Sequence, residues 1–278
     1  MTNLQSVLTF DGEENYIEIS NPFHINFLSS CTLEVWLKSP SIGPMFSATQ
    51  IFEYGTLVGQ SMTVSDTLYA QCGLRDKSGK WVRMSTREPL PQDNGWHHIA
   101  FVFYEGNEQE KIFIDGELYS QYDADPCTRG FAGGAMRIGF GFKDPQNNLK
   151  PCYFKGQLAE IRYWNKALSQ SEIQAGLHRR LWGNEPALTG YWCLNEGSGT
   201  IVRDKTSHAS HGTIFGCTWD TTDTLPVAPL PKKQTSVTNP DKQYLGTGLQ
   251  DYGYWYKWKQ NLPQQTDSQP FRRGRIWS

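Results

Sequence analysis

The chain has 278 residues, of which 38% are hydrophobic and 19% charged, and its net charge is −2. That length suits one large all-β core with an appendage. No stretch approaches the roughly 18 apolar residues of a membrane helix, and the near-neutral balance gives no electrostatic footprint for nucleic acid.

Ten Trp, 13 Tyr and 26 Gly favour sheets over long helices. The N-terminus enters strand-like sequence directly, with no basic start or apolar run, so no signal peptide is predicted. Together with the missing membrane segment, this points to a cytoplasmic particle or leaderless export. Residues 6–19 read as two short strands broken at Asp11-Gly12, a turn signal. Residues 31–38 alternate, with Leu33, Val35 and Leu37 on one face and Thr32, Glu34 and Trp36 on the other. Residues 96–104 form another strand, and 111–119 a hairpin on Asp115-Gly116. Further strands are expected at 136–142, 156–164, 191–194 and 213–219. A single helix is predicted from Ser169 to Arg179. Ser169 and Glu172 form a capping box, and Ile173, Leu177 and Leu181 recur at helical spacing. Many short strands with one brief helix indicate a two-sheet sandwich.

Six segments carry a resemblance. They are Leu-Thr-Phe-Asp-Gly…Asn-Tyr-Ile-Glu-Ile, Cys-Thr-Leu-Glu-Val-Trp-Leu-Lys, Gly-Trp-His-His-Ile-Ala, Ile-Phe-Ile-Asp-Gly-Glu-Leu, Gly-Gln-Leu-Ala-Glu-Ile-Arg-Tyr-Trp-Asn-Lys-Ala-Leu-Ser and Tyr-Trp-Cys-Leu-Asn-Glu-Gly-Ser-Gly-Thr. In this order they are similar to successive strands of laminin-G-like, concanavalin A-like jelly-roll domains, over residues 6–222. The resemblance implies an all-β jelly-roll sandwich of two curved antiparallel sheets, with a role in binding carbohydrate or protein. Pentraxins share that architecture. Their calcium ligands follow the strand aligned with 135–142, where this chain has Gly139-Phe140-Gly141-Phe142-Lys143-Asp144. Two aromatics, a glycine and a lysine replace most of those ligands, so a double calcium site is not expected. There is room for one structural calcium ion near Asp11-Gly12, without an assigned ligand set.

The chemistry of the remaining residues is read site by site, because a fold does not fix a function. Glycoside hydrolysis needs two carboxylates about 5–10 Å apart. Glu34 stands alone on its strand, so it is read as bonded within the sandwich, and no catalytic residue is assigned. His97 and His98 are neighbours on a strand and point to opposite faces, which argues against a shared ligand. His208 and His211 flank a small-residue turn. The six cysteines, Cys31, Cys72, Cys127, Cys152, Cys193 and Cys217, form no CxxC pair, which argues against zinc. They are read as free thiols, with Cys127 and Cys152 the pair to watch under oxidation. A sugar site needs an exposed aromatic platform. Phe140 and Phe142 share a face, and with Tyr54 and Trp81 they are the candidate ligand-binding residues.

The organisation is read as a sandwich over 1–222, a Pro-rich linker over 223–243 and a basic aromatic tail over 244–278. From Pro231 onwards eight Lys/Arg stand against three Asp, so this segment carries +5 and the rest of the chain −7. The tail holds Tyr252, Tyr254, Trp255, Tyr256, Trp258, Arg272, Arg273, Arg275 and Trp277, residue types that interface hot spots favour. It can pack on its own sandwich, insert into a partner subunit, or bind nucleic acid or acidic lipid. The expected function is non-enzymatic recognition or adhesion, binding glycan or a protein surface, with the tail docked in a larger assembly. The alternatives are a structural subunit with no sugar site and a carbohydrate-active enzyme without a visible motif.

Overall fold

The computed structural model describes residues 4–19, 29–38, 41, 43–51, 57–65, 68–75, 81–104, 110–122, 135–143 and 150–230. Within these, only the backbone is described at 46–51, 57–64, 71–75, 81–84, 135, 142, 143 and 150. The chain divides into two units, Met1–Pro231 and Lys232–Ser278. The second unit, which contains all nine tail residues named above, lies outside the described residues, as do Tyr54 and Cys127.

The first unit begins with β1 (Gln5–Asp11), β2 (Tyr16–Ile19), β3 (Cys31–Lys38), β4 (Gly43–Ile51), β5 (Leu57–Val64), β6 (Ala70–Arg75) and β7 (Trp81–Ser85). It continues with β8 (Trp96–Phe103), β9 (Glu110–Ile114), β10 (Glu117–Tyr122), β11 (Ala135–Ile138), β12 (Phe140–Lys143), β13 (Lys150–Tyr153) and β14 (Lys155–Trp164). After helix α1 (Gln170–Gly176) come β15 (Leu188–Trp192), β16 (Ile201–Val202), β17 (Gly212–Phe215) and β18 (Thr218–Thr222). These strands build two eight-stranded antiparallel sheets and a small β12–β13 ribbon. The first sheet runs β10-β9-β8-β3-β14-β1-β18, with β15 also on β14. The second runs β16-β17-β2-β11-β4-β5-β6-β7. This is the two-sheet antiparallel sandwich that the strand pattern and the resemblance imply.

Alternation decides the core. Leu33, Val35 and Leu37 of β3, Ile99 and Phe101 of β8, and Leu158, Ile161 and Tyr163 of β14 point inward. There they meet Ile17 and Ile19 of β2, Met136 and Ile138 of β11, and Ile214 of β17. Apolar side chains on the inner face of each strand leave water together, each worth about 1.5–3 kcal/mol when fully buried. The strand at 31–38 differs from a half-exposed one. Its second face, Thr32, Glu34 and Trp36, is buried too, because a third layer covers the first sheet.

That layer is α1 and the segments on either side of its C-terminus. The capping box is present as predicted: the Ser169 hydroxyl accepts from the Glu172 N–H, and the Glu172 carboxylate accepts from the Ser169 N–H. Seven residues cannot sustain a helix alone. Ile173, completely buried, fixes it on the sheet. The helix ends at Gly176, three residues before the predicted end. The chain then turns to bond another segment: Ala228 N–H donates to His178 O, and Arg180 N–H to Ala228 O. These bonds take backbone groups that a continuing helix would use. Residues 223–230, read from the prolines as linker, are therefore a strap on the first unit. Leu225 and Val227 are buried against Val7, Trp36, Trp96, Ala159 and Leu177.

Two corners between sheets replace an expected ordinary turn and an expected unbroken strand. β1 belongs to the first sheet and β2 to the second, so Asp11-Gly12 is not a hairpin. The strand expected over 213–219 is two strands, β17 in the second sheet and β18 in the first, separated by Gly216-Cys217. Since β1 pairs with β18 and β2 with β17, the chain crosses the sandwich edge twice, side by side. The strand expected over 136–142 breaks at Gly139. A side chain there would collide with the Phe10 ring 2.5 Å away, and φ is +81°. By contrast, Asp115-Gly116 closes the expected β9–β10 hairpin. The four strands between 43 and 85 carry no pattern singled out in the sequence.

Candidate functional site

Two clusters of chemistry-bearing side chains stand out. The first is sealed between the first sheet and the α1 layer. A bulge in β14 gives Glu160 a φ of +54° and sets two residues, 160 and 161, opposite Val35. Ala159, Glu160 and Arg162 thereby face the third layer while Ile161 stays in the core. Arg162 sits among Glu34 at 3.9 Å, Glu160 at 3.5 Å, and the carbonyls of Gly176 at 3.0 Å and Arg179 at 2.7 Å. Its guanidinium thus closes the C-terminal end of α1, where unpaired carbonyls favour a cation. Glu34 accepts from Trp164 Nε1 at 2.7 Å. Glu160 accepts from Tyr191 Oη at 2.6 Å and from Arg180 Nε at 3.1 Å.

The electrostatics follow from that geometry. Burial works against charge on Glu34, yet His98, Arg162 and Trp164 outweigh it and hold the carboxyl below its ordinary value. Burial likewise opposes charge on Arg162, but Glu34 and Glu160 raise its affinity for the proton. Burial, then Glu160, drives the Tyr191 phenol upward and pushes the Cys193 thiol up to about 12. His98 Nε2 lies 3.3 Å from Glu34 Oε1, though neither ring nitrogen completes a well-formed hydrogen bond among the described residues. Glu34 and Glu160 are 1% and 0% exposed. Carboxylates so sealed and so fully paired hold the layers together and meet no substrate. This matches the reading of Glu34 as a bonded structural carboxylate.

The second cluster lies at one end of the second sheet, on its outer face. Ile17, Ile19 and Ile214 point to the core, so Tyr16, Glu18 and Phe215 between and beside them point outward. The Tyr16 and Phe215 rings stack, with centroids 4.7 Å apart and planes 16° off parallel. Phe140 leans on Tyr16 at 5.6 Å and Tyr153 on Phe140 at 5.4 Å. Arg137 lies over Phe140 at 4.8 Å and Tyr16 at 5.7 Å. Two of its N–H groups, on Nε and Nη2, donate to Glu18 Oε2 at 3.0 and 2.8 Å. Phe215 is 40% exposed, as is Ile201 at 42% on the neighbouring edge strand. The β2–β17 register sets Phe215 opposite Tyr16 and Thr213 opposite Glu18.

The double corner holds this face in place. Buried Asn15, just before Tyr16, donates from Nδ2 to the carbonyl of Gly216, just after Phe215, at 3.1 Å. Gly216 has φ +74°, and a side chain there would meet Asn15 Oδ1 at 2.8 Å. A glycine is therefore required for the two rings to stay stacked.

Of the four ligand-binding residues expected from the sequence, Phe140 is part of this cluster but only 8% exposed. It forms the base of the platform, whose outer surface is Phe215 and Tyr16. Phe142 and Trp81 lie in β12 and β7, where only the backbone is described; register pairs Phe142 with Pro151 and Trp81 with Arg75. Tyr16, Glu18, Arg137, Tyr153 and Phe215 were not singled out in the sequence. The signal available was the aromatic-alternating ends of two strands, Tyr16-Ile-Glu-Ile and Thr213-Ile-Phe.

The other candidates take structural roles. His97 bridges Asp115 Oδ2 at 2.7 Å and Asp93 Oδ1 at 3.1 Å, while His98 points into the opposite layer, as adjacent strand residues must. His211 Nδ1 accepts from Asp204 N–H, and Asp204 accepts from the N–H groups of Tyr191, Thr206 and Ser210. At the Asp11-Gly12 corner Asp11 Oδ1 accepts from Glu13 N–H, and Gly12 packs on the Lys155 side chain. Among the described residues no group of three or more His, Cys, Asp or Glu is gathered as a metal site. No described helix is long and apolar enough to cross a membrane.

His97 carries a pH-dependent prediction. Its bond to Asp115 raises its pKa from 6.5 to about 9, with Asp93 adding to the effect and burial opposing it. A raised folded-state value means the stabilisation is full below about pH 6.5 and is lost as pH rises through about 9. The melting temperature of the wild type should exceed that of His97→Gln most near pH 6, and the gap should shrink by pH 10. A gap constant across that range would refute the bridge as a charged one.

The profile of the concanavalin A-like lectin/glucanases superfamily matches residues 11–174. The rat "Sushi, von Willebrand factor type A, EGF and pentraxin domain-containing protein 1" (Rattus norvegicus) is 22% identical over 156 residues, covering 53% of this chain and 4% of that protein. The chain thus spans a small fraction of this relative's length. A provisionally assigned carbohydrate-binding protein of Bacteroides ovatus has a similar structure, with TM-score 0.58, 18% identity, and coverage of 81% of this chain and 62% of that one. The CBM40 of the Ruminococcus gnavus IT-sialidase, bound to α2,3-sialyllactose, matches with TM-score 0.44 and 11% identity, over 63% of this chain and 97% of that one.

Proposed function

The chain belongs to the concanavalin A-like lectin/glucanases superfamily, and from that premise we propose that it is a non-catalytic carbohydrate-recognition module that binds sugar on the outer face of its second sheet. One observation carries the reading: exposed Phe215 stacked on half-buried Tyr16 beside the Arg137–Glu18 pair. A pyranose ring offers an apolar C–H face and a rim of hydroxyls. An aromatic surface flanked by donors and acceptors answers both. The fold shared with the Bacteroides ovatus protein supports the same reading. The described carboxylates with the deepest burial are sealed in the ionic layer, away from this face.

A glycan array with the full chain tests it. Phe215→Ala should weaken binding of the preferred glycan on the order of tenfold, about 1.4 kcal/mol, with the melting temperature unchanged. Binding unaltered by this change would remove the proposed face. The segment 244–278 is proposed to dock the module into a larger assembly through its aromatic and Arg side chains, a role supported by its composition. A chain ending at Pro231 should keep the glycan profile of the full chain and lose the assembly. The second reading, a structural subunit, would gain from an array with no selective ligand.

A further inference from the structure

The charges around the aromatic face define a sugar class, an inference that rests on the carbohydrate reading above. Arg137 is the cation placed on the stack, and its charge is already paired: N–H groups on Nε and Nη2 go to one oxygen of Glu18. The two side chains stay partly open, 27% and 43% exposed. What a ligand meets is a neutral pair with a carboxylate oxygen and a guanidinium edge side by side. A sugar hydroxyl both donates and accepts, so neighbouring hydroxyls fit that pair without disturbing it. A sugar carboxylate fits less well: it finds only the remaining N–H groups of Arg137 and sits close to Glu18 with like charge.

The surroundings add to this. The corner leading into Tyr16 carries exposed Asp11, Glu13 and Glu14. Glu14 is close enough to Tyr153 to act with burial in holding that phenol above its ordinary value. Across the sheet, Glu18 faces Thr213, a neutral hydroxyl. Lys155 packs against Gly12 in the same corner, so among the described side chains near the stack the carboxylates of Asp11, Glu13, Glu14 and Glu18 outnumber the cations Arg137 and Lys155.

We propose that this face selects neutral sugars, holding their hydroxyls between Glu18 and Arg137, and excludes sialylated and uronic acid-containing glycans. The test uses the full chain on matched neutral and sialylated oligosaccharides. The wild type should favour the neutral member by about tenfold or more. Glu18→Gln frees Arg137 and removes the repelling charge, so the preference should fall to threefold or less, on the order of the screened charge effect. Raising salt to about 1 M, where screening acts within about 3 Å, should narrow the wild-type preference without any substitution. A wild type that prefers the acidic member, or a preference that neither Glu18→Gln nor salt moves, overturns the inference and leaves the sugar face standing if Phe215→Ala still weakens binding. Loss of all Phe215-dependent glycan binding overturns the carbohydrate reading and this inference with it.

Discussion

Replacing Arg162 with methionine should lower the unfolding free energy by about 3–5 kcal/mol, the range for breaking a buried ion pair from one side. The side chain is completely buried between two carboxylates, the carbonyl of Gly176 at the end of α1 and that of Arg179 beyond it. Methionine fills much of its volume but leaves Glu34 and Glu160 without their shared cation, and leaves the end of α1 uncapped. Arg180 still reaches Glu160, so Glu34 should suffer more. Adding Glu34→Gln to Arg162→Met should then recover part of the loss, since a buried pair removed together costs far less than one member removed alone. Urea unfolding of the wild type and the two variants measures both effects. A loss below about 1 kcal/mol for Arg162→Met would show that the layer is held by its apolar contacts alone.

The second large effect is expected from the strap. Leu225 and Val227 are 3% and 2% exposed and close over Trp36 and Trp96. Gln5 Nε2 donates to Leu225 O at 2.9 Å, and Ala228 bonds to the chain on both sides of Arg179. Truncating both side chains to alanine should destabilise the fold by about 3–5 kcal/mol, as buried Leu-to-Ala changes do. A chain stopped after Asp223 should show red-shifted tryptophan emission and a lower melting temperature than one stopped after Pro231, which holds the same tryptophans. Equal stability of the two shortened chains would return residues 223–230 to the linker that their prolines suggest.

Much of the fold was legible locally. The alternation at 31–38, the hairpin at Asp115-Gly116 and the capping box at Ser169 are signals written within a few residues. Each appears in the structure, because pleat, turn and cap geometry depend on near neighbours. The order of six such segments was enough for the fold family. Limits show where partners are distant. Ser169 announces where α1 starts, but its end depends on Ala228, some fifty residues on. Pro226 and Pro229 signal extended chain, and extended chain can equally be a linker or a strap.

The candidate site belongs to the distant kind. Phe140 was picked out because two aromatics alternate at 140 and 142, yet alternation cannot say which aromatic lies at the base of a cluster and which faces water. Tyr16 and Phe215 each read as one aromatic on a short strand. They become a platform only because the chain crosses between sheets twice at the same edge, with Asn15 bonded to Gly216. Glu160 and Arg162 were invisible for a related reason. A bulge turns Glu160 to the side that period-two counting leaves ambiguous, and both faces of that strand are buried. Short-range patterning was enough for many of the strands outside 43–85, for the sandwich and for the family, since these follow from backbone geometry. The tertiary structure alone decided which outward side chains meet, because sheet register and layer packing join residues that no local period relates.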